Sequence, residues 1–289
     1  MIRKIAVLGA GTMGHGIAYA AAVGGFDVAL VDVSAPALAA ARARIGAIAE
    51  SAVTRGLMSR ADAGSLVARV TATTDLATAV SDADFVIEAV PERMPLKLET
   101  LAAVQRHARR DVVLASNTSA LSITEMAGVL DNPGRAAGMH FFNPVQKMKL
   151  VEIVRALETA PETIEQIQDV AQRMGKETVI VRESPGFVTS RINAIIGNEA
   201  FYMLQEGVAS ARDIDKAVRL GLNHPMGPFE LVDLVGLDTR LSVLEFMART
   251  LGEKYRPCPL LVEYVKAGRL GRKSGRGVYE YAAHETAGG

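Results

Sequence analysis

Gly9-Ala10-Gly11-Thr12-Met13-Gly14 sits between an apolar run at 4–9 (KIAVLG) and a helical stretch near 12–24. A strand that turns through three glycines straight into a helix leaves few folds open. Gly9 permits the tight turn, Gly11 lets a phosphate group approach the backbone, and Gly14 lets helix and strand pack closely. The first N–H groups of such a helix lack intrahelical acceptors, so they can hold a pyrophosphate. A second strand at 27–32 (DVALVD) ends in Asp32, eighteen residues past Gly14. A carboxylate there accepts hydrogen bonds from both ribose hydroxyls and repels a 2′-phosphate, which predicts NAD rather than NADP. The alternative is that Asp32 caps a helix starting at 35.

The rest of the first 180 or so residues repeats the alternation of short apolar strands and helical stretches. Further strands read near 69–73, 85–90, 112–116, 137–142, 149–155 and 178–183. Helices read near 35–57, 94–108, 122–129 and 161–174, with capping-box spacing from Ser122 to Glu125. This pattern predicts an α/β, Rossmann-like, doubly wound and mostly parallel sheet. After Glu183 strand alternation stops, and the chain is helical in pattern to about 268. Ser184-Pro185 reads as a cap and first helical residue, Ser210 opens another helix, and 223–228 (NHPMGP) breaks one. Two domains follow, 1–183 and an all-helical 184–289. The nicotinamide end of a dinucleotide belongs beyond the carboxyl ends of the later strands. Two segments, 87–92 (IEAVPE) and 115–119 (ASNTS), bring small polar groups there.

His140 and Glu152 lie twelve residues apart in two strand-like runs, with the turn-forming Asn143-Pro144 between them. If these runs pair antiparallel about Gln146, imidazole and carboxylate face each other, giving the sheet an antiparallel extension. A carboxylate on one ring nitrogen fixes the tautomer and leaves the other nitrogen to exchange protons, as a general base requires. A histidine between Met139 and two phenylalanines is more often plain core. The buried carboxylate expected at Glu152 argues against that, because it would need a partner. Ser119 alone could be a strand-end cap, while Met139 and Met148 read as core. His15 lies near the pyrophosphate, His107 and His284 read as exposed, and His224 as part of a loop.

Lys+Arg and Asp+Glu number 32 each, so no global field favours nucleic acid or an anionic membrane. Cys258 is the single cysteine, which excludes an internal disulfide and fits a reducing, cytoplasmic compartment. Scattered histidines and one cysteine give no metal site. No apolar stretch is long enough to span a bilayer, and the N-terminus enters a strand directly, with no room for a signal peptide.

Taken together, GAGTMG, IEAVPER, ASNTS, GMHFFNP, KLVEIV, SPGFV, NHPMGPFEL, KYRPCPLL and GRKSGRGVYEY resemble the 3-hydroxyacyl-CoA dehydrogenases, in order along essentially the whole chain. The likeness is strongest to the bacterial 3-hydroxybutyryl-CoA branch. The resemblance implies an NAD-binding domain, a helical domain that makes a homodimer, and an active site between them. It implies oxidation of (3S)-3-hydroxyacyl-CoA in fatty-acid oxidation or butanoate metabolism. His140 would be the general acid/base, Glu152 its orienting partner, Ser119 a donor to the substrate's C3 oxygen, and Asn143 a support beside His140. Glu92, Lys97 and Asn117 would surround the nicotinamide ribose, and Lys273 would approach the cofactor from the tail. Coenzyme A would cross a helical hairpin at about 35–66, near Arg44 and Arg55. One position departs from the family: Ser190 stands where PGFVxNR has asparagine, and Asn193 lies one turn further on. Two other functions compete. One is a dehydrogenase of a free 3-hydroxy acid, with Arg191 receiving the carboxylate; the other is a non-catalytic NAD-binding protein. Apolar residues available to a twin subunit are Ile195, Ile196, Phe201, Leu231, Leu234, Leu241 and Leu244.

Overall fold

The computed structural model describes residues 2–282. It divides into two compact units, one ending at Ser184 and one starting at Pro185. The first unit runs β1 (Lys4–Leu8), α1 (Gly14–Val23), β2 (Asp27–Val31), α2 (Ala35–Thr54), α3 (Arg60–Ala68), β3 (Val70–Thr73), α4 (Leu76–Ser81) and β4 (Phe85–Glu88). It continues through α5 (Met94–His107), β5 (Val113–Ser116), α6 (Ile123–Ala127), β6 (Ala136–Phe141), β7 (Leu150–Arg155), α7 (Pro161–Arg173) and β8 (Glu177–Arg182). The strands form one sheet in the order β3-β2-β1-β4-β5-β6-β7-β8.

Strands β1, β2, β4 and β5 are near-continuous apolar runs, buried along almost their whole length, as a parallel sheet covered on both faces requires. Chain order reverses between β1 and β4, so a crevice opens beyond their carboxyl ends. Every pairing is parallel except β6 with β7. The antiparallel step is therefore a single hairpin, and β8 runs parallel to β7.

Local expectations change in four places. The stretch read as one helix over 35–57 is α2 followed by α3. Gly56, at φ +68°, ends the first, and the Ser59 hydroxyl caps the second. Helix α4 went unread because it is six residues long, although Asp75 caps it at Thr78 N–H. Ser184-Pro185 does not start a helix. Gly186 and Phe187 take φ of +74° and +49°, a left-handed step that no helix can continue, and α8 begins at Thr189. Met139 is core, but Met148 is 40% exposed because it precedes β7 on the turn.

The second unit is helical: α8 (Thr189–Gln205), α9 (Ala211–Gly221), α10 (Pro228–Val235), α11 (Leu237–Leu251) and α12 (Pro259–Lys266). Phe201 packs edge-on against Phe229 and Tyr264, at centroid distances of 5.2 and 5.8 Å. Two buried carboxylates fasten the segment 278–281 to these helices. Asp233 accepts from Val278 N, Tyr279 N and the Tyr281 hydroxyl, and Asp215 from Phe229 N, Glu230 N and the Tyr279 hydroxyl. Of the apolar residues offered to a twin subunit, Phe201 and Leu244 are fully buried in this unit's own core, while Ile195 and Leu234 are exposed. Among the described residues no helix is long and apolar enough to cross a membrane.

Gly138 faces Val154 across the hairpin, and a Cβ there would fall 2.7 Å from Val154 Cβ. Gly46, inside α2, has nothing within 4 Å of such a Cβ. Gly138→Ala should cost about 1–3 kcal/mol through overpacking. Gly46→Ala should gain about 0.5–1 kcal/mol in helix propensity. Urea titration of the two variants should move their midpoints in opposite directions.

Candidate active site

The glycine turn separates into internal and external requirements. Gly9 has φ +100°, and a Cβ on it would lie 2.5 Å from the Ala89 carbonyl oxygen at the end of β4. A Cβ on Gly14 would lie 1.7 Å from Gly9 O. Neighbouring backbone accounts for both, the segment after β4 for Gly9 and the turn itself for Gly14. Gly11 is different: a Cβ there meets nothing within 4 Å, so only a group from outside could require its absence. Gly11 and Thr12 are exposed and Met13 is half-buried. No side chain caps α1 and no acidic residue lies in its first turn, so its N-terminal dipole is open to an anion.

Asp32 follows β2, with Oδ2 accepting from Ala10 N–H at 2.8 Å and Oδ1 from Ser34 N–H at 2.9 Å. It does not cap α2; Ser34 does, accepting from Ala37 N–H. A carboxylate offers about four lone-pair directions, so Asp32 keeps capacity for two ribose hydroxyls. These residues fit a dinucleotide: an open glycine, an uncapped helix start and a half-buried carboxylate moored to the same turn.

The ends of β4 and β5 carry a connected polar cluster. Glu92 Oε1 accepts from the Thr118 hydroxyl at 2.5 Å, Ser119 N–H at 2.9 Å and the Ser119 hydroxyl at 3.3 Å. Glu92 Oε2 lies 3.3 Å from Lys97 Nζ. Lys97 is buried, with its ammonium on Glu88 Oε1 and Oε2 at 2.7 and 2.9 Å. Asn117 accepts the Phe141 N–H on its Oδ1 at 2.9 Å, leaving its amide NH₂ as the group that can donate outward. Its own N–H binds Glu88 O, so the ends of β4, β5 and β6 are stitched together.

His140 lies one residue before the end of β6, which runs parallel to β5 and therefore finishes at the same sheet edge. The register pairs His140 with Glu152, and the ring Nδ1 is 2.8 Å from Glu152 Oε2. Met139, Phe141, Val151 and Ile153 belong to the apolar core, so strand alternation sends His140 and Glu152 to the other face. Glu152 is fully buried and His140 nearly so, with Phe142 tilted against the imidazole at 4.6 Å. Val145, five residues on, packs on Gly16 of α1: a Cβ on Gly16 would fall 2.9 Å from Val145 Cβ. This contact ties the turn after His140 to the dinucleotide helix. Lys176 holds the same turn through the carbonyls of Val145 and Met148, and burial pushes its ammonium below the usual lysine range. Asn143 is exposed on that turn and joined to Pro144 by a cis peptide.

Ser190 and Lys273 belong to the second unit. Ser190 and Asn193 are both half-buried in the first turns of α8. Lys273 pairs with Asp238 at 2.6 Å. Burial works to raise the Asp238 carboxyl, but the hydrogen bond and charge of Lys273 outweigh it and hold it below the usual range. Arg44 and Arg55 are exposed on and just after α2, His15 is half-buried and bonded to Gly11 O, and His107 is exposed. His224 is half-buried in the loop before α10, and His284 lies outside the described residues. Glu88 was missed. Its signal was an acidic residue closing an apolar strand, which cannot be buried without partners.

Residues 4–184 match the family model described as "3-hydroxyacyl-CoA dehydrogenase, NAD binding domain", and residues 186–281 match "3-hydroxyacyl-CoA dehydrogenase, C-terminal domain". A Bacillus subtilis protein named probable 3-hydroxybutyryl-CoA dehydrogenase is 46% identical over 97% of this chain and 98% of its own. The 3-hydroxybutyryl-CoA dehydrogenase of Bradyrhizobium diazoefficiens is 41% identical over 97% and 96%. Among solved structures, the (S)-3-hydroxybutyryl-CoA dehydrogenase of Ralstonia eutropha superposes with a TM-score of 0.95 at 42% identity, covering 98% of this chain and 100% of that one.

Gly11→Ala should weaken NADH binding at least several-fold with little change in the urea midpoint, whereas Gly14→Ala should unfold or strongly destabilise the first unit. Asp32→Ala should weaken NADH and narrow the preference over NADPH. Titration of NADH and NADPH fluorescence on each variant, beside its urea midpoint, separates these outcomes.

Proposed function

We propose, from the premise that this chain belongs to the 3-hydroxyacyl-CoA dehydrogenase family, that it interconverts (3S)-3-hydroxyacyl-CoA and 3-oxoacyl-CoA, with 3-hydroxybutyryl-CoA as its substrate. The observation that carries the reading is the 2.8 Å contact between His140 Nδ1 and the buried Glu152 carboxylate at the carboxyl edge of the sheet. NAD, when bound, supplies the hydride acceptor for C3.

In the oxidative direction His140 Nε2 takes the proton of the C3 hydroxyl, and in reduction it returns that proton. Glu152 accepts the Nδ1 hydrogen throughout, which fixes the ring's orientation and stabilises the imidazolium formed when Nε2 is loaded. The Ser119 hydroxyl, 3.3 Å from Glu92 here, turns to donate to the C3 oxygen as its charge develops. Asn143 supports the site from the turn after His140. Ser190 takes the place of the family's asparagine near the thioester carbonyl, with Asn193 one turn along α8 as its supplement. Glu92, Lys97 and Asn117 serve the nicotinamide ribose, and Lys273 serves the cofactor. Arg44 and Arg55 meet the phosphates of coenzyme A. The enzyme works in a reducing, cytoplasmic setting, in fatty-acid oxidation or butanoate metabolism, as a homodimer to which the exposed Ile195 and Leu234 contribute.

The free 3-hydroxy acid alternative is weaker, because the relatives at 46% and 41% identity are named for a coenzyme A substrate. Its arginine, Arg191, donates from Nε to the Tyr255 hydroxyl at 2.6 Å. A non-catalytic role would leave no reason for burying a carboxylate against an imidazole at this edge.

His140→Ala should lower turnover on the order of 10²–10⁴-fold while NADH affinity stays near wild type. Stopped-flow NADH oxidation with acetoacetyl-CoA, set beside the matching free 3-oxo acid, checks both the base and the substrate class. Faster turnover of the free acid would refute the coenzyme A reading.

A further inference from the structure

Glu88 is fully buried at the last position of β4 and collects four hydrogen bonds. Oε1 accepts from Val90 N–H and Lys97 Nζ, each at 2.7 Å. Oε2 accepts from Lys97 Nζ at 2.9 Å and from the Ser116 hydroxyl at 2.5 Å. Lys97 is as buried as its partner, and its ammonium reaches on to Val90 O at 3.4 Å and Glu92 Oε2 at 3.3 Å. Glu92 is grasped in turn by Thr118 and Ser119. Ser116 closes the loop, accepting the Thr118 N–H at 3.3 Å while donating to Glu88. Five residues at or beside two strand ends and on α5 thus form one hydrogen-bonded ring, Glu88, Lys97, Glu92, Thr118 and Ser116, with Ser119 attached to it through Glu92.

Such a ring is costly unless every member is satisfied, since a buried carboxylate and ammonium give up their hydration. A hydrophobic pair would join β4 to α5 at least as well. What a hydrophobic pair could not do is aim Glu92, the one carboxylate of the ring with substantial exposure, 41% of its side chain. We infer that Glu88 is a positioning residue for the reaction: it holds the Lys97 ammonium against one oxygen of Glu92, and so orients Glu92 towards the nicotinamide ribose and Ser119 towards the substrate oxygen. This rests on the roles of Glu92 and Ser119 given under the proposed function. Glu88 itself touches neither ligand.

Glu88→Gln keeps the shape and one acceptor oxygen but removes the charge that anchors Lys97. Three readings on the full-length protein test it: NADH affinity by NADH fluorescence, kcat and KM with acetoacetyl-CoA, and the urea midpoint. Ile167→Ala, a core truncation in α7 at a residue outside the ring, serves as a control for general destabilisation. The expected result is NADH weakened about tenfold in Glu88→Gln, as for a lost hydrogen bond to a charged group. A lower kcat should accompany it, with KM for acetoacetyl-CoA changed less. Ile167→Ala should lose stability yet bind NADH as wild type does. Ser116→Ala, a milder cut of the same ring, should weaken NADH several-fold and decides the matter if Glu88→Gln does not fold. Wild-type NADH affinity and kcat in the ring variants would overturn the inference, as would equal weakening in Ile167→Ala. NADH binding is read without any acyl substrate. A wild-type protein inert towards acetoacetyl-CoA would therefore sink the proposed reaction and leave the binding comparison to judge Glu88.

Discussion

The contact between the His140 imidazole and the Glu152 carboxylate is the interaction on which the rest of the molecule depends. A carboxylate without a hydrogen-bond partner inside a strand that is otherwise apolar would be expensive. The contact exists only in one register of the β6/β7 hairpin, because a slip of one residue would send both side chains to opposite faces. Gly138 opposite Val154 reinforces that register, since a bulkier residue there would not fit. The turn between the strands is pinned on one side by Val145 against α1 and on the other by Lys176. The hairpin therefore keeps the imidazole and the carboxylate opposite each other.

The parallel sheet supplies the second constraint. Strands β1, β4, β5 and β6 all finish at the same edge, so polar residues at or beside the ends of β4, β5 and β6 converge without any long loop. Glu88, Ser116, Asn117 and His140 occupy these places. Hydrogen bonds running from Asn117 N to Glu88 O and from Phe141 N to Asn117 Oδ1 lock neighbouring strand ends. The glycine turn and the His140–Glu152 pair thus belong to one sheet, which suits the proposed reaction because that reaction would depend on orientation.

Much of this was legible from residue order. The strand, glycine turn, helix and acidic strand end at Asp32 are enforced by backbone sterics, and they appear where spacing puts them. The twelve-residue interval between His140 and Glu152 gives the register because strand pairing counts residues. What escaped was decided by tertiary or dihedral detail. Ser184-Pro185 has the composition of a helix start, yet the left-handed Gly186 and Phe187 delay the helix to Thr189. Gly56 splits a long helix through a positive φ that spacing does not reveal. Lys97 entered only through the family resemblance, and its burial against Glu88 was not legible, because the pair forms between a strand end and a helix nine residues later. The two compact units meet in sequence at Ser184 and Pro185.

Long-range ¹⁵N–¹H spectra of histidine-labelled protein, with His140→Gln to assign the signal, report directly which ring nitrogen carries hydrogen. If Glu152 orients an acid–base histidine, the neutral His140 ring holds its hydrogen on Nδ1 and presents a bare Nε2, and Glu152→Gln disturbs that preference. A neutral ring protonated on Nε2, or one indifferent to Glu152→Gln, would contradict the account.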